Sequence, residues 1–308
     1  MIIEFDKELK SQKIFANGDE LATNMGLDKD ERGNRVHTRP RDETLFVVEF
    51  ENPVLMTDNY KILSLQDTVL RDTVFALYNS SFKRTVYDGV SVDFEQKKFP
   101  GVWGPSIDTL LFTRALSKED LSSFKSGLEI GPGSGFIAKY LLENCSELNS
   151  MDLIDLNPDS IRACKYNIED DRARFFVGDG IEFTKDKSYD VIVCNPPYID
   201  RKKSIDDNAY KGVNLLEYLL NNASDILNEN GVLYTNVSSL SAASTKSLID
   251  CFNNKKKVDG MRVPLKVFNV LNNKDWMSYL QENNMLFKNS FEGYDYWHDL
   301  SIYAIKNS

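Results

Sequence analysis

The residues Asn195-Pro196-Pro197-Tyr198 follow Val191-Ile192-Val193-Cys194 with nothing between them. Four β-favouring residues read as a strand. The two prolines end it abruptly, because neither offers a backbone N–H and the first turns Asn195 away from helix. A carboxamide, a rigid double proline and an aromatic ring are thereby held at a strand's carboxyl end, where open α/β sheets build their sites. Alone, the four residues also fit a proline-rich turn with a packing tyrosine, so the chain upstream decides. There, Gly131-Pro132-Gly133-Ser134-Gly135 follows Leu128-Glu129-Ile130; glycines let a backbone turn tightly and approach a ligand, and the helix that follows presents free N–H groups. Asp155 ends the run Met151-Asp152-Leu153-Ile154, at a place suited to accept hydrogen bonds from both hydroxyls of a ribose. Asp179, within Gly178-Asp179-Gly180 after Arg174-Phe175-Phe176-Val177, is placed to accept from the amino group of an adenine. A glycine loop and Asp155 alone also suit a nicotinamide oxidoreductase.

These groups need a scaffold of alternating strands and helices. From Gly127 onward the chain alternates in that way, which implies βαβ units around a parallel sheet. Strands are expected at Leu128–Ile130, Met151–Ile154, Arg174–Val177, Asp190–Cys194 and Gly231–Val237, and helices at Phe136–Leu142, Pro158–Asn167 and Leu215–Leu227. Residues 1–98 read differently, as a small α+β domain for accessory or substrate-recognition use. It would contain a turn-rich opening through Asp42, a strand Thr44–Phe50, a helix Leu65–Tyr78 and a hairpin across Asp88-Gly89. The stretch FPGVWGPSIDTLLFTRAL, residues 99–116, joins the two parts. Its helix starts near Ser106 or Asp108, and Trp103 lies in a flexible piece that serves either as a connector or as a flap over a cofactor. An insertion over about 250–285 holds a strand-like Val263–Phe268 and a helix Lys274–Leu280, and either shapes the cleft or elaborates the fold.

Composition narrows the class. The 308 residues carry a net charge of -10 and a pI near 4.9, which opposes broad phosphate-driven nucleic-acid binding. Arg201-Lys202-Lys203 and Lys255-Lys256-Lys257 are local basic patches, read by default as solvated loops. No apolar run reaches the roughly 18 residues of a spanning helix, so a cytoplasmic protein without signal peptide or membrane partner is expected. Cys145, Cys164, Cys194 and Cys251 show no CxxC spacing and read as free thiols. His37 and His298 stand far apart as structural or surface residues, and no metal cluster is apparent.

Together, Glu129-Ile130-Gly131-Pro132-Gly133-Ser134-Gly135, Asp155, Gly178-Asp179 and Asn195-Pro196-Pro197-Tyr198, in that order, make residues 99–308 resemble a class I S-adenosylmethionine-dependent methyltransferase. The resemblance implies a Rossmann-like doubly wound sheet of seven strands with an antiparallel terminal hairpin, near Leu286–Phe291 and Asp299–Ile305. It implies S-adenosyl-L-methionine as cofactor, bound by Glu129, Gly131, Gly133, Gly135, Asp155, Asp179 and Asn195. It also implies catalysis by Asn195, Pro196, Pro197 and Tyr198 on a nitrogen conjugated to a planar group. Such a nitrogen is a poor nucleophile. Acceptance of its N–H bonds by Asn195 Oδ1 and the Pro196 carbonyl orients the lone pair and stabilises developing positive charge, with Tyr198 against the plane. Trp103-Gly104-Pro105-Ser106-Ile107-Asp108-Thr109 and the continuation through Ile199 are similar to the release-factor glutamine methyltransferases and their small-domain relatives. The implied partner is a protein glutamine, such as one in a translation factor; the alternatives are a ribosomal or transfer RNA base, and an inactive cofactor-binding scaffold.

Overall fold

The computed structural model describes residues 2–6, 12–15, 44–50, 82–202, 212–265, 267–291 and 294–307. The expected helix at Leu65–Tyr78, His37 and Lys203 lie outside the described residues. Five strands come first: β1 (Ile2–Asp6), β2 (Gln12–Phe15), β3 (Thr44–Phe50), β4 (Phe82–Tyr87) and β5 (Val90–Glu95), which form one antiparallel sheet in the order β2-β1-β3-β4-β5. The turn between β4 and β5 is built by Asp88 and Gly89, both at positive φ, 49° and 83°, the pairing that suits strand twist in a two-residue hairpin. Tyr87, Val90 and Val92 from this hairpin join the same buried core as the helices that follow. Asn167 ties them down further: its side chain accepts from the Asp93 N–H and donates to the carbonyls of Asp93, Ser134 and Ala163.

Helix α1 (Ile107–Leu116) leads into β6 (Ser126–Ile130), α2 (Phe136–Asn144), β7 (Ser150–Asp155), α3 (Pro158–Asn167), β8 (Ala173–Val177), α4 (Gly180–Thr184) and β9 (Tyr189–Cys194). Then come α5 (Asn214–Asn221), α6 (Ala223–Ile226), β10 (Leu227–Ser238), α7 (Ala243–Cys251), β11 (Lys255–Pro264), α8 (Phe268–Leu271), α9 (Lys274–Glu282), β12 (Phe287–Phe291) and β13 (Tyr294–Lys306). The second sheet runs β11-β13-β10-β9-β6-β7-β8, with β12 paired to β13. Parallel pairing holds from β8 through β10 and antiparallel pairing joins β13 to its neighbours. One face, carrying Val191, Val193, Tyr234 and Ile302, packs on α1, α2 and α3. The opposite face, carrying Ile192, Cys194 and Leu233, packs on α5, α6 and α7. This is the doubly wound architecture.

The antiparallel partner is larger than a two-strand hairpin. Among the described residues the sheet has eight strands, because Lys255-Lys256-Lys257 begins β11 and pairs with Ile305, Ala304 and Tyr303; these lysines are strand residues at a sheet edge and not a loop, a common edge protection. Lys256 reaches Glu119 at 2.6 Å and Lys255 reaches Asp250 at 3.2 Å. Val263–Phe268 is not one strand: β11 stops at Pro264, which cannot donate to the ladder, and Phe268 opens α8. Likewise Leu215–Leu227 divides at Asn222 into α5 and α6. All four cysteines are free thiols; Cys145, Cys164 and Cys194 are buried and Cys251 is exposed. No helix among the described residues is long and apolar enough to cross a membrane.

Candidate active site

The strand order reverses between β6 and β9. Ile130 pairs with Cys194 there, so the first residue of the glycine loop and Asn195 leave the sheet side by side at its carboxyl edge, the crevice where such sheets bind ligands. Gly131, Gly133 and Gly135 hold φ of 70°, 54° and 82°, the left-handed region that side chains resist. At Gly133 a Cβ would stand 2.7 Å from the Trp103 carbonyl. The segment ahead of α1 therefore lies across the loop, with the Trp103 side chain 53% exposed. Gly135 opens α2 without any side-chain cap. Glu129 supplies the missing acceptor: only 2% exposed, its Oε2 takes the Ala138 N–H at 2.7 Å. Burial, with the nearby Asp155 charge adding to it, holds the Glu129 carboxyl well above the usual range.

The two aspartates sit at the tips of β7 and β8. Asp155 Oδ1 accepts from the Asn157 N–H at 2.8 Å, and burial raises its pKa. Asp179 Oδ1 caps α4 through Ile181 N–H at 2.8 Å. Leu156, directly after Asp155 in the chain, is 44% exposed. Positive-φ glycines, a backbone approach that excludes a Cβ, two strand-tip carboxylates and an exposed leucine fit a nucleoside joined to an amino acid.

Asn195 Oδ1 is buried and has no hydrogen-bond partner among the described residues. Such an acceptor costs stability unless something else supplies the donor. Tyr198, three residues on, donates its O–H to Asp108 Oδ2 at 2.7 Å, and Ser241 Oγ donates to its carbonyl at 3.2 Å. Burial pushes both the Asp108 carboxyl and the Tyr198 phenol up, the phenol also because of the adjacent carboxylate. The His298 ring stands 5.7 Å from the Tyr198 ring, centroid to centroid, and His298 Nδ1 shares a 2.9 Å hydrogen bond with Ser238 Oγ. Beyond the tyrosine, Asp200 N–H donates to the Leu240 carbonyl at 2.8 Å, while Trp276 Nε1 donates to the Asp200 carbonyl at 2.8 Å and Tyr279 O–H to its carboxylate at 2.5 Å. The 250–285 insertion thus grips the segment that follows Asn195-Pro196-Pro197-Tyr198.

The structure brings Gly131 and Asn195 together and leaves Asp155 and Asp179 at the neighbouring strand ends. Sequence reading missed Asp108 as Tyr198's partner, Trp276 and Tyr279 as its supports, and His298 as a buried neighbour of the tyrosine. No group of histidine, cysteine or acidic side chains among the described residues has metal-holding geometry.

The model of the methyltransferase small domain family matches residues 100–262. The chain is 30% identical over 179 residues, 52% of its own length and 63% of the relative's, to the release factor glutamine methyltransferase of Aquifex aeolicus. It is 27% identical over 136 residues, covering 38% of the chain and 43% of the relative, to the ribosomal protein uL3 glutamine methyltransferase of Francisella tularensis. It is 26% identical over 96 residues, covering 30% and 40%, to the tRNA1(Val) (adenine(37)-N6)-methyltransferase of Actinobacillus pleuropneumoniae. The match spans less than two thirds of the length of each of these relatives.

Proposed function

Because the chain belongs to the methyltransferase small domain family, whose cofactor is S-adenosyl-L-methionine, we propose that it methylates a planar amide or amino nitrogen, with a protein glutamine side chain as the favoured acceptor. The observation that carries this reading is the buried Asn195 Oδ1, without a partner among the described residues, at the end of β9, one residue before a carbonyl that two prolines hold rigid. Gly131, Gly133, Asp155 and Asp179 are the residues that would hold the cofactor. When bound, the cofactor supplies an electrophilic sulfonium methyl group.

The chain's own residues do the rest. Asn195 Oδ1 accepts one N–H of the target nitrogen and the Pro196 carbonyl accepts the other, which fixes the direction of the lone pair and offsets the positive charge that grows on nitrogen as the methyl group leaves sulfur, a charge removed when one of those N–H protons passes to water. The Tyr198 ring, tethered through its hydroxyl to Asp108, presents a face to the planar group. Glutamine is favoured because the relatives include two glutamine methyltransferases and the chain carries a net charge of -10, unsuited to a phosphate-rich acceptor. The exocyclic nitrogen of an rRNA or tRNA base is the second reading, supported by the tRNA adenine methyltransferase relative.

Incubating the protein with methyl-tritiated cofactor and cell extract, then digesting separately with nuclease and protease, tests the substrate. Label that survives nuclease and is released by protease is expected; label released by nuclease alone overturns the glutamine reading. Asn195→Ala is expected to lose about 100-fold or more in transfer rate while keeping its melting temperature. Full activity in that variant would overturn the role of the carboxamide.

A further inference from the structure

Asn236 interrupts the apolar run of β10, between Tyr234-Thr235 and Val237. It is 0% exposed, and neither its Oδ1 nor its Nδ2 has a hydrogen-bond partner among the described residues. A carboxamide with both ends unmade is costly in a sheet interior. Its address is specific. Thr235 pairs with Cys194 in the parallel ladder, so Asn195 and Asn236 are the next residues on two adjacent strands. Asn236 is also paired with Ile302, which belongs to the core beneath α1 together with Val193 and Tyr234. Strand alternation carries that face on to Asn195, two residues after Val193. The same face, two residues beyond Asn236, holds Ser238 and through it His298, the neighbour of the Tyr198 ring. Three buried amide atoms without a partner among the described residues, Asn195 Oδ1 with Asn236 Oδ1 and Nδ2, therefore cluster where β9 and β10 end.

We infer that Asn236 is a second substrate-holding carboxamide, whose Nδ2 donates to the acceptor atom bonded to the same carbon as the target nitrogen. This rests on the methyl-transfer reading given above. In a glutamine side chain that acceptor is the amide oxygen; in an amino-substituted base it is the adjacent ring nitrogen. Asn195 and Asn236 together read an H–N–C=O or H–N–C=N unit. They reject an alkyl ammonium or a guanidinium, which offer no acceptor and would leave the Asn236 donor unpaired.

Asn236→Leu, similar in size and without polar atoms, tests the inference with Asn236→Ala beside it. Because both amide atoms lack partners among the described residues, Asn236→Leu is expected to melt no lower than the parent. S-adenosylhomocysteine affinity by calorimetry is expected to stay within about twofold in both variants. The initial rate of tritiated methyl transfer to limiting cell extract, which is proportional to kcat/KM, is expected to fall at least about tenfold. Transfer at the parent rate in a folded variant overturns the inference. So does an equal loss of S-adenosylhomocysteine affinity, which would give Asn236 to the cofactor, or a lower melting temperature for both variants, which would make it structural. If Asn195→Ala is inactive while Asn236→Ala is fully active, only this inference fails; if Asn195→Ala is itself active, the methyl-transfer reading beneath it fails.

Discussion

Burial holds the His298 imidazole neutral, bringing its pKa down to about 4. The unfolded chain protonates near 6.5. A depressed pKa contributes stability that is present above pH 6.5 and is lost as pH falls from there toward 4, with a slope of at most about 1.4 kcal/mol per pH unit. Raised carboxyls at Glu129, Asp155 and Asp108 contribute the opposite slope, so urea unfolding between pH 7 and 4 should show the His298 slope as the difference between the parent and His298→Asn, whatever the variant's effect at neutral pH. Asn195 was legible from sequence because two prolines fix the backbone around it, and backbone restriction is a local property. Asp108 was not legible as the partner of Tyr198, which lies 90 residues later; only the docking of α1 on the sheet brings the two together. Asn236 carried a weak sign, a polar residue inside an apolar strand, whose meaning needed the β9 and β10 register.

At the scale of elements, the glycine loop separates two costs that sequence merges. Gly131 has positive φ with no atom of the described residues within 4 Å of where a Cβ would stand, whereas Gly133 has positive φ and a carbonyl 2.7 Å from that point. Gly131→Ala should lose about 1 kcal/mol of stability from conformation alone. Gly133→Ala should lose more than about 2 kcal/mol and weaken S-adenosylhomocysteine binding at least tenfold, since the loop or the Trp103 segment must move; denaturation and calorimetry measure both. The insertion gives a second element-scale expectation. Tyr279, whose phenol burial and Asp200 push up to about 12, remains a neutral donor to Asp200 throughout the working range. Tyr279→Phe should cost about 1 kcal/mol of stability and lower kcat/KM for transfer several-fold, with S-adenosylhomocysteine affinity unchanged. An element that only extended the fold would leave kcat/KM alone. The strand and helix alternation that carries the sheet was readable from periodicity, because each βαβ unit is local. The eighth strand was not: a run of three lysines looks solvated until a long partner, β13, offers an edge to pair with.

Across the whole molecule, the amino-terminal sheet and the methyltransferase sheet meet through β5, whose Val90 and Val92 share a core with α2 and whose Ser91 carbonyl accepts from Lys139 Nζ at 2.8 Å. The segment that leaves β5 passes over the glycine loop at Trp103, so position is transmitted from one sheet to the cofactor loop by chain connection as well as by packing. Two of the four thiols, Cys164 and Cys194, lie against that loop and the strand that leads into it, and this gives the protein a built-in reporter. Cys164 Sγ sits 3.2 Å from where a Gly135 Cβ would stand, and Cys194 Sγ donates to the Ile130 carbonyl at 3.2 Å, while Cys251 alone is exposed. Excess iodoacetamide should therefore alkylate one thiol per native chain quickly and the other three only as fast as the interior opens, a count that mass spectrometry reads directly. Protection of a buried group scales with the stability of the state that hides it. S-adenosylhomocysteine at about 100 times its dissociation constant should slow Cys164 modification up to about 100-fold if opening the loop releases the ligand, and should leave the Cys251 rate unchanged. The slowest thiols thereby become a clock for how long the cofactor loop stays closed.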